Sequence, residues 1–157
     1  MNPKVYLETT VPSYLSAKAS RDLIVAAHQQ ITQEWWERRR NQFDIFISQF
    51  VLDEASQGDT EAAQGRLELL SDIEMLDITE DVSRLASAIL AAKIIPPESA
   101  TDAAHIAVAA VHAMDFLLTW NCAHIANAAI ALRVRRVCEA RGFSCPVICT
   151  PEELLEE

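Results

Sequence analysis

The sequence predicts an α/β fold: a single domain over residues 1–157, with a central, mostly parallel five-stranded sheet flanked by helices on both faces. Three observations carry that expectation. Short β-rich runs alternate with stretches of helical hydrophobic period, five times along the chain. The run Phe116-Leu117-Leu118 is apolar throughout, as a parallel strand covered on both faces requires. Half of the residues are hydrophobic and only three are glycine, a composition for a packed, helix-rich globule and not for a disordered chain.

The first strand reads as Lys4 to Leu7 and ends at Glu8. Thr9, Thr10 and then Pro12 signal a helix start, since proline is tolerated in the first turn. Ser20 is a candidate cap for a helix reaching about Arg40, with Leu23, Ala26, Ala27, Ile31 and Trp35 on its apolar stripe. Phe43 to Ile47 reads as the second strand, and Ser48 as the cap of a helix that stops near Gly58. On that helix Asp53 and Glu54 face about 100° apart, so they cannot both point at one site. Asp59 caps a helix through Leu70, Glu74 to Ile78 is a weaker third strand, and Thr79 caps a helix to about Lys93.

Pro96-Pro97 then opens the stretch around which the chain is organised, Thr101 to Asn121. Its first part, to about Met114, places Ala103, Ile106, Ala107, Ala110 and Val111 on one side of a helix, with Asp102 near the start. Phe116 to Leu118 follows as the fourth strand, closed by Thr119, Trp120 and Asn121. A long helix is expected after Asn121, to about Arg141, with Gly142 as its stop. Pro146 to Cys149 is the fifth strand, and Thr150-Pro151-Glu152-Glu153 starts a short last helix.

No apolar run reaches the ~18 residues needed to span a bilayer. The segment MNPKVYLETT lacks the long apolar core of a signal peptide, so the expected location is cytoplasmic, away from membranes. Cys122, Cys138, Cys145 and Cys149 form no C-x-x-C pair and are expected to be reduced thiols. Thirteen basic residues against 23 acidic ones give a net charge of −10, which opposes nucleic-acid binding by bulk charge. The arginines are clustered, however, at Arg38, Arg39 and Arg40 and again at Arg133, Arg135, Arg136 and Arg141. Trp35-Trp36 beside the first cluster suggests either an RNA-stacking patch or a core or dimer-interface tryptophan before a solvated helix end; the second is favoured.

Four polar positions recur at equivalent places in this pattern. Glu8 ends the first strand, Glu54 lies in the helix after the second, Asp102 starts the helix before the fourth, and Asn121 follows the fourth. In a parallel sheet with right-handed crossovers these places converge at one edge. Carboxylates crowded there repel one another unless a cation neutralises them, and oxygen ligands of this kind suit magnesium or manganese. His105, three residues after Asp102, shares its helix face and is expected to be a core or supporting histidine. His28, His112 and His124 show no metal-ligand spacing, and no Ser-His-Asp order or phosphate-binding G-x-x-x-x-G-K-S/T loop is present.

With V-Y-L-E-T-T-V at 5–11, I-S-Q-F-V-L-D-E-A at 47–55, D-A-A-H-I-A-V-A at 102–109, L-L-T-W-N at 117–121 and C-P-V-I-C-T-P-E-E-L at 145–154, the sequence resembles the PIN domain family, and within it the VapC-type toxin ribonucleases. The resemblance covers essentially the whole chain. It implies acids around magnesium (or manganese) that hydrolyse RNA, with Glu8, Glu54 and Asp102 as metal ligands and Asn121 in the place of a fourth acid. Thr9, Thr119 and His105 would support the ligands or touch substrate. The family's first acid is usually Asp, and its fourth is commonly an Asp two residues after a Thr. Here Glu8 reaches one methylene farther, and Asn121 keeps an oxygen but loses a charge. These departures imply a weaker second metal, and weak activity or a need for manganese.

The expected function is therefore a metal-dependent endoribonuclease leaving a 3′-hydroxyl and a 5′-phosphate, acting as the toxin of a toxin–antitoxin pair. Its expected partners are an RNA substrate, gripped by the arginine clusters, a cognate antitoxin protein and a second copy in a homodimer. The competing expectations are a catalytically weak or inactive PIN-fold binding or regulatory module, favoured by Glu8 and Asn121, and a metal-dependent phosphatase on small substrates.

Overall fold

The computed structural model describes residues 1–156. The strands are β1 (Lys4–Leu7), β2 (Asp44–Ser48), β3 (Glu74–Leu76), β4 (Phe116–Leu118) and β5 (Val147–Cys149). The helices are α1 (Thr10–Ser16), α2 (Leu23–Arg38), α3 (Gln49–Ala55), α4 (Thr60–Leu70), α5 (Glu80–Ala91), α6 (Ala100–Val111) and α7 (Ala128–Ala140), with short 3-10 turns at Arg40–Gln42, Pro97–Ser99 and Pro151–Leu154.

The five strands form one sheet in the order β3-β2-β1-β4-β5, and every neighbouring pair is parallel. The chain builds outward from β1 to β3, then crosses back to the other side of β1 for β4 and β5. Right-handed crossovers consequently put α1–α4 on one face and α5–α7 on the other. The packing agrees: α1 lies against α2 and α4, and α5 against α6 and α7.

The core is densest where α6 crosses the sheet. Every residue from Ala103 to Ala110 on α6 is buried, and the small alanines let the helix approach β4 and α5 closely. Val5, Tyr6 and Leu7 of β1 and Leu117 and Leu118 of β4 are fully enclosed. Each buried aliphatic side chain of this size contributes roughly 1.5–3 kcal/mol. Trp35 is core too, packed against Trp36 and Phe43, while Trp36 lies under the Arg40 guanidinium. All four cysteines are free thiols. No described helix is long and apolar enough to cross a membrane.

Four boundaries differ from expectation, each for a local reason. Asp22, not Ser20, caps α2: its carboxylate accepts from the Ile24 and Val25 amides, while the Ser20 hydroxyl accepts from the Asp22 amide. Ser48 occupies the cap position of α3 but makes no cap bond, because its hydroxyl is engaged by Tyr6. Helix α6 ends at Val111, short of Met114. The Met114 amide bonds Ala109 O and the Ala113 amide bonds Ala110 O, with Ala113 at a left-handed φ of 55°. Helix α7 begins at Ala128, not directly after Asn121. Ile125 and Ala126 turn back onto Asn121 O, and Asn127 supplies the cap.

Candidate metal centre

Strand order reverses at β1, so the carboxyl ends of β1 and β4 flank the switch point where open α/β sheets place ligands. Glu8 leaves β1 there, its amide bonded to Leu118 O of β4. Its side chain is only 3% exposed. Glu8 Oε1 accepts from the Thr10 amide at 3.1 Å, the Thr10 hydroxyl at 2.5 Å and the Thr119 hydroxyl at 2.6 Å. Three donors on one oxygen fix the carboxylate and leave Oε2 without a hydrogen-bond donor among the described residues.

Glu54 reaches the same place from α3. The Thr9 hydroxyl donates to its Oε1 at 2.7 Å, so the residue after Glu8 tethers the second acid. Its neighbour Asp53 turns away, its carboxylate accepting from Gln49 on the exposed side of the helix. From α6, His105 Nε2 lies 2.5 Å from Glu54 Oε1. Burial pushes the Glu54 carboxyl up, but the His105 bond and charge and the Thr9 bond outweigh it and hold the group below its ordinary value.

His105 is fully buried, and its second nitrogen is engaged as well. Nδ1 lies 2.7 Å from the Tyr6 hydroxyl, which lies 2.8 Å from Ser48 Oγ. The imidazole thus bridges the Glu54 carboxylate and the Tyr6 hydroxyl, with Ser48 behind the phenol. Burial drives the Tyr6 phenol well above its ordinary value, so it stays protonated.

One ligand atom each from Glu8, Glu54 and His105 fall within 4.8 Å of one another. Asp102 lies one turn before His105 on α6 and is outside that group; its Oδ2 is 3.0 Å from His124 Nδ1. Asn121 faces the same residue, its Oδ1 accepting from the His124 amide at 3.1 Å. The structure thus joins Glu8, Glu54, His105, Thr9 and Thr119, and links Asp102 and Asn121 beside them through His124. Sequence reasoning gave Tyr6 no role in the site, read Ser48 only as a helix cap, and set His124 aside for want of metal-ligand spacing. Tyr6 had a signal, since residues two apart on a strand share a face and Tyr6 stands two before Glu8. His124 had a weaker one, three residues after an asparagine that can cap a turn.

Two carboxylates with unused oxygens and one imidazole nitrogen fit a divalent cation. Comparison with known proteins points the same way. The PIN domain family model matches residues 5–121, well over half of the chain. The chain belongs to the PIN domain family. No curated protein sequence matches it. Among solved structures, it is similar to a chain of VapBC2 from Rickettsia felis, bound to a DNA fragment from their promoter. The TM-score is 0.58 at 18% identity, over 93% of this chain and 97% of that one. PIN domains are generally nucleases, and in this PIN domain the matched residues run from β1 to Asn121, enclosing every acid of the candidate site.

Proposed function

We propose that this PIN domain is a metal-dependent endoribonuclease, the toxin of a VapC-type toxin–antitoxin pair. The observation that carries it is the convergence of Glu8, Glu54 and His105 within 4.8 Å at the switch point of the sheet. A divalent ion bound there, magnesium or manganese, supplies Lewis-acid polarisation of a phosphodiester and an activated water. Glu8 and Glu54 hold the ion, and Asp102 completes the negative charge one turn away on α6. Thr9, Thr10 and Thr119 fix the carboxylates, so little reorganisation is needed when substrate arrives. Asn121 and His124 form the rim on the β4 side and orient Asp102.

The acidic mouth repels RNA until the cation is present, and the first arginine cluster gives little help close by. Arg38 ends α2 and Arg40 opens the 3-10 turn just before β2 begins, toward the sheet edge opposite Glu8. RNA grip therefore relies on the bound cation and on longer-range arginine attraction. The likeness to VapBC2 supports an antitoxin partner; a homodimer working in the cytoplasm completes the proposal.

The test is cleavage of a long structured RNA across manganese and magnesium titrations. The parent should cut, leaving 3′-hydroxyl and 5′-phosphate ends. Glu8→Gln, Glu54→Gln and Asp102→Ala, each verified as folded, should lose about 100-fold or more. Equal cleavage by all three variants assigns the activity elsewhere. RNA retention without cleavage by the parent identifies a binding module.

A further inference from the structure

A site of two carboxylates and one imidazole differs chemically from a site of carboxylates alone. Magnesium takes oxygen ligands and dehydrates reluctantly, whereas first-row transition ions accept imidazole nitrogen readily. We propose that His105 Nε2 is the third protein ligand beside Glu8 and Glu54, making a mixed carboxylate–imidazole centre that takes manganese or another first-row divalent ion in preference to magnesium. The proposal rests on the metal-site assignment made above.

The groups behind His105 suit this role. A ligating histidine needs an acceptor for its other N–H, and such partners fix the ring's tautomer and orientation. Tyr6 is that partner, 2.7 Å from Nδ1, and Ser48 stands 2.8 Å behind it. A metal on Nε2 would require that nitrogen to be unprotonated, and Nδ1–H would then donate to the Tyr6 oxygen, with Ser48 within hydrogen-bond reach of the phenol. Glu54 would exchange its His105 contact for the ion, its Oε1 still held by the Thr9 hydroxyl.

The experiment uses the full chain loaded with manganese and no RNA. Pulsed EPR should show the hyperfine coupling of a directly bonded ¹⁴N, converted to a ¹⁵N pattern when the histidines are labelled. The coupling should persist in His124→Gln and vanish in His105→Gln. Calorimetry should show manganese bound more tightly than magnesium, with that preference falling about tenfold in His105→Gln and manganese affinity falling about tenfold in Tyr6→Phe. If His105→Gln does not fold, the labelled parent, His124→Gln and Tyr6→Phe decide the matter. Manganese bound without nitrogen coupling, or with coupling lost in His124→Gln, overturns the proposal and leaves the metal site standing. No binding of either ion overturns both.

Discussion

Glu54 shows what single contacts do in this molecule. Its carboxyl is held below the ordinary value of 4.5 because His105 and Thr9 outweigh its burial. A carboxyl depressed by folding contributes stability that is present above its ordinary value and is lost as pH falls through the depressed one. Urea titrations at stepped pH should therefore show parent and Glu54→Gln converging below about pH 4.5; a constant gap would mean that Glu54 carries no such linkage. Tyr6 and Trp35 make a second contrast. The Tyr6 hydroxyl serves two partners, whereas Trp35 Nε1 is buried with no partner among the described residues. Tyr6→Phe leaves buried polar groups unpaired and should cost about 1–3 kcal/mol. Trp35→Phe removes an orphan donor along with its packing, and should cost less than its larger volume loss suggests. Equal stability of Tyr6→Phe and parent would show that the buried relay holds nothing in place. Glu8 and Glu54 were legible as site candidates from their places after strands. The weight of His105 was not, because its partner Tyr6 lies 99 residues away and no local spacing announces that pairing.

Elements were read from hydrophobic period, and all five strands and all seven α-helices lie where the pattern put them, allowing for their ends. The ends went astray where a capping side chain is used for something else. Ser48 has the identity of a cap, but its oxygen serves Tyr6. Asn121 and Asn127 can each start a helix; the Ile125 and Ala126 amides turn back onto Asn121 O, and Asn127 takes the cap of α7. Two substitutions test these ends. Asp22→Ala should cost about 1 kcal/mol and Ser20→Ala distinctly less, since only Asp22 satisfies orphan amides of α2. Helices α5, α6 and α7 all close on a left-handed residue, but only α7 uses glycine there, Gly142 at φ 85°. Lys93 and Ala113 adopt φ of 57° and 55° with a Cβ attached. Ala113→Gly should raise the urea midpoint by the equivalent of up to about 1 kcal/mol, the usual cost of that conformation for other residues. A drop would show that loss of the Ala113 methyl contacts outweighs relief of strain.

At the scale of the whole molecule, the α/β class and the five parallel strands follow from alternating patterns that any PIN domain must bury. The convergence of Glu8 and Glu54 at one sheet edge follows from β1 and β2 being adjacent and parallel. What patterns could not supply was the distance of Asp102 from that pair, since the register of α6 against the sheet is set by side-chain packing.

The bond between Thr119 and Glu8 spans 111 residues of chain. Synthesis on the ribosome runs from the amino end, so Glu8 and Glu54 emerge long before Thr119 and His105 exist to set them. Folds built on such distant pairings assemble late and slowly. A nascent chain that has made β1–β3 carries its first two acids with Thr9 and Thr10 beside them, but lacks the Thr119 and His105 contacts that complete the arrangement. A site with this wiring is complete only once translation has passed β4.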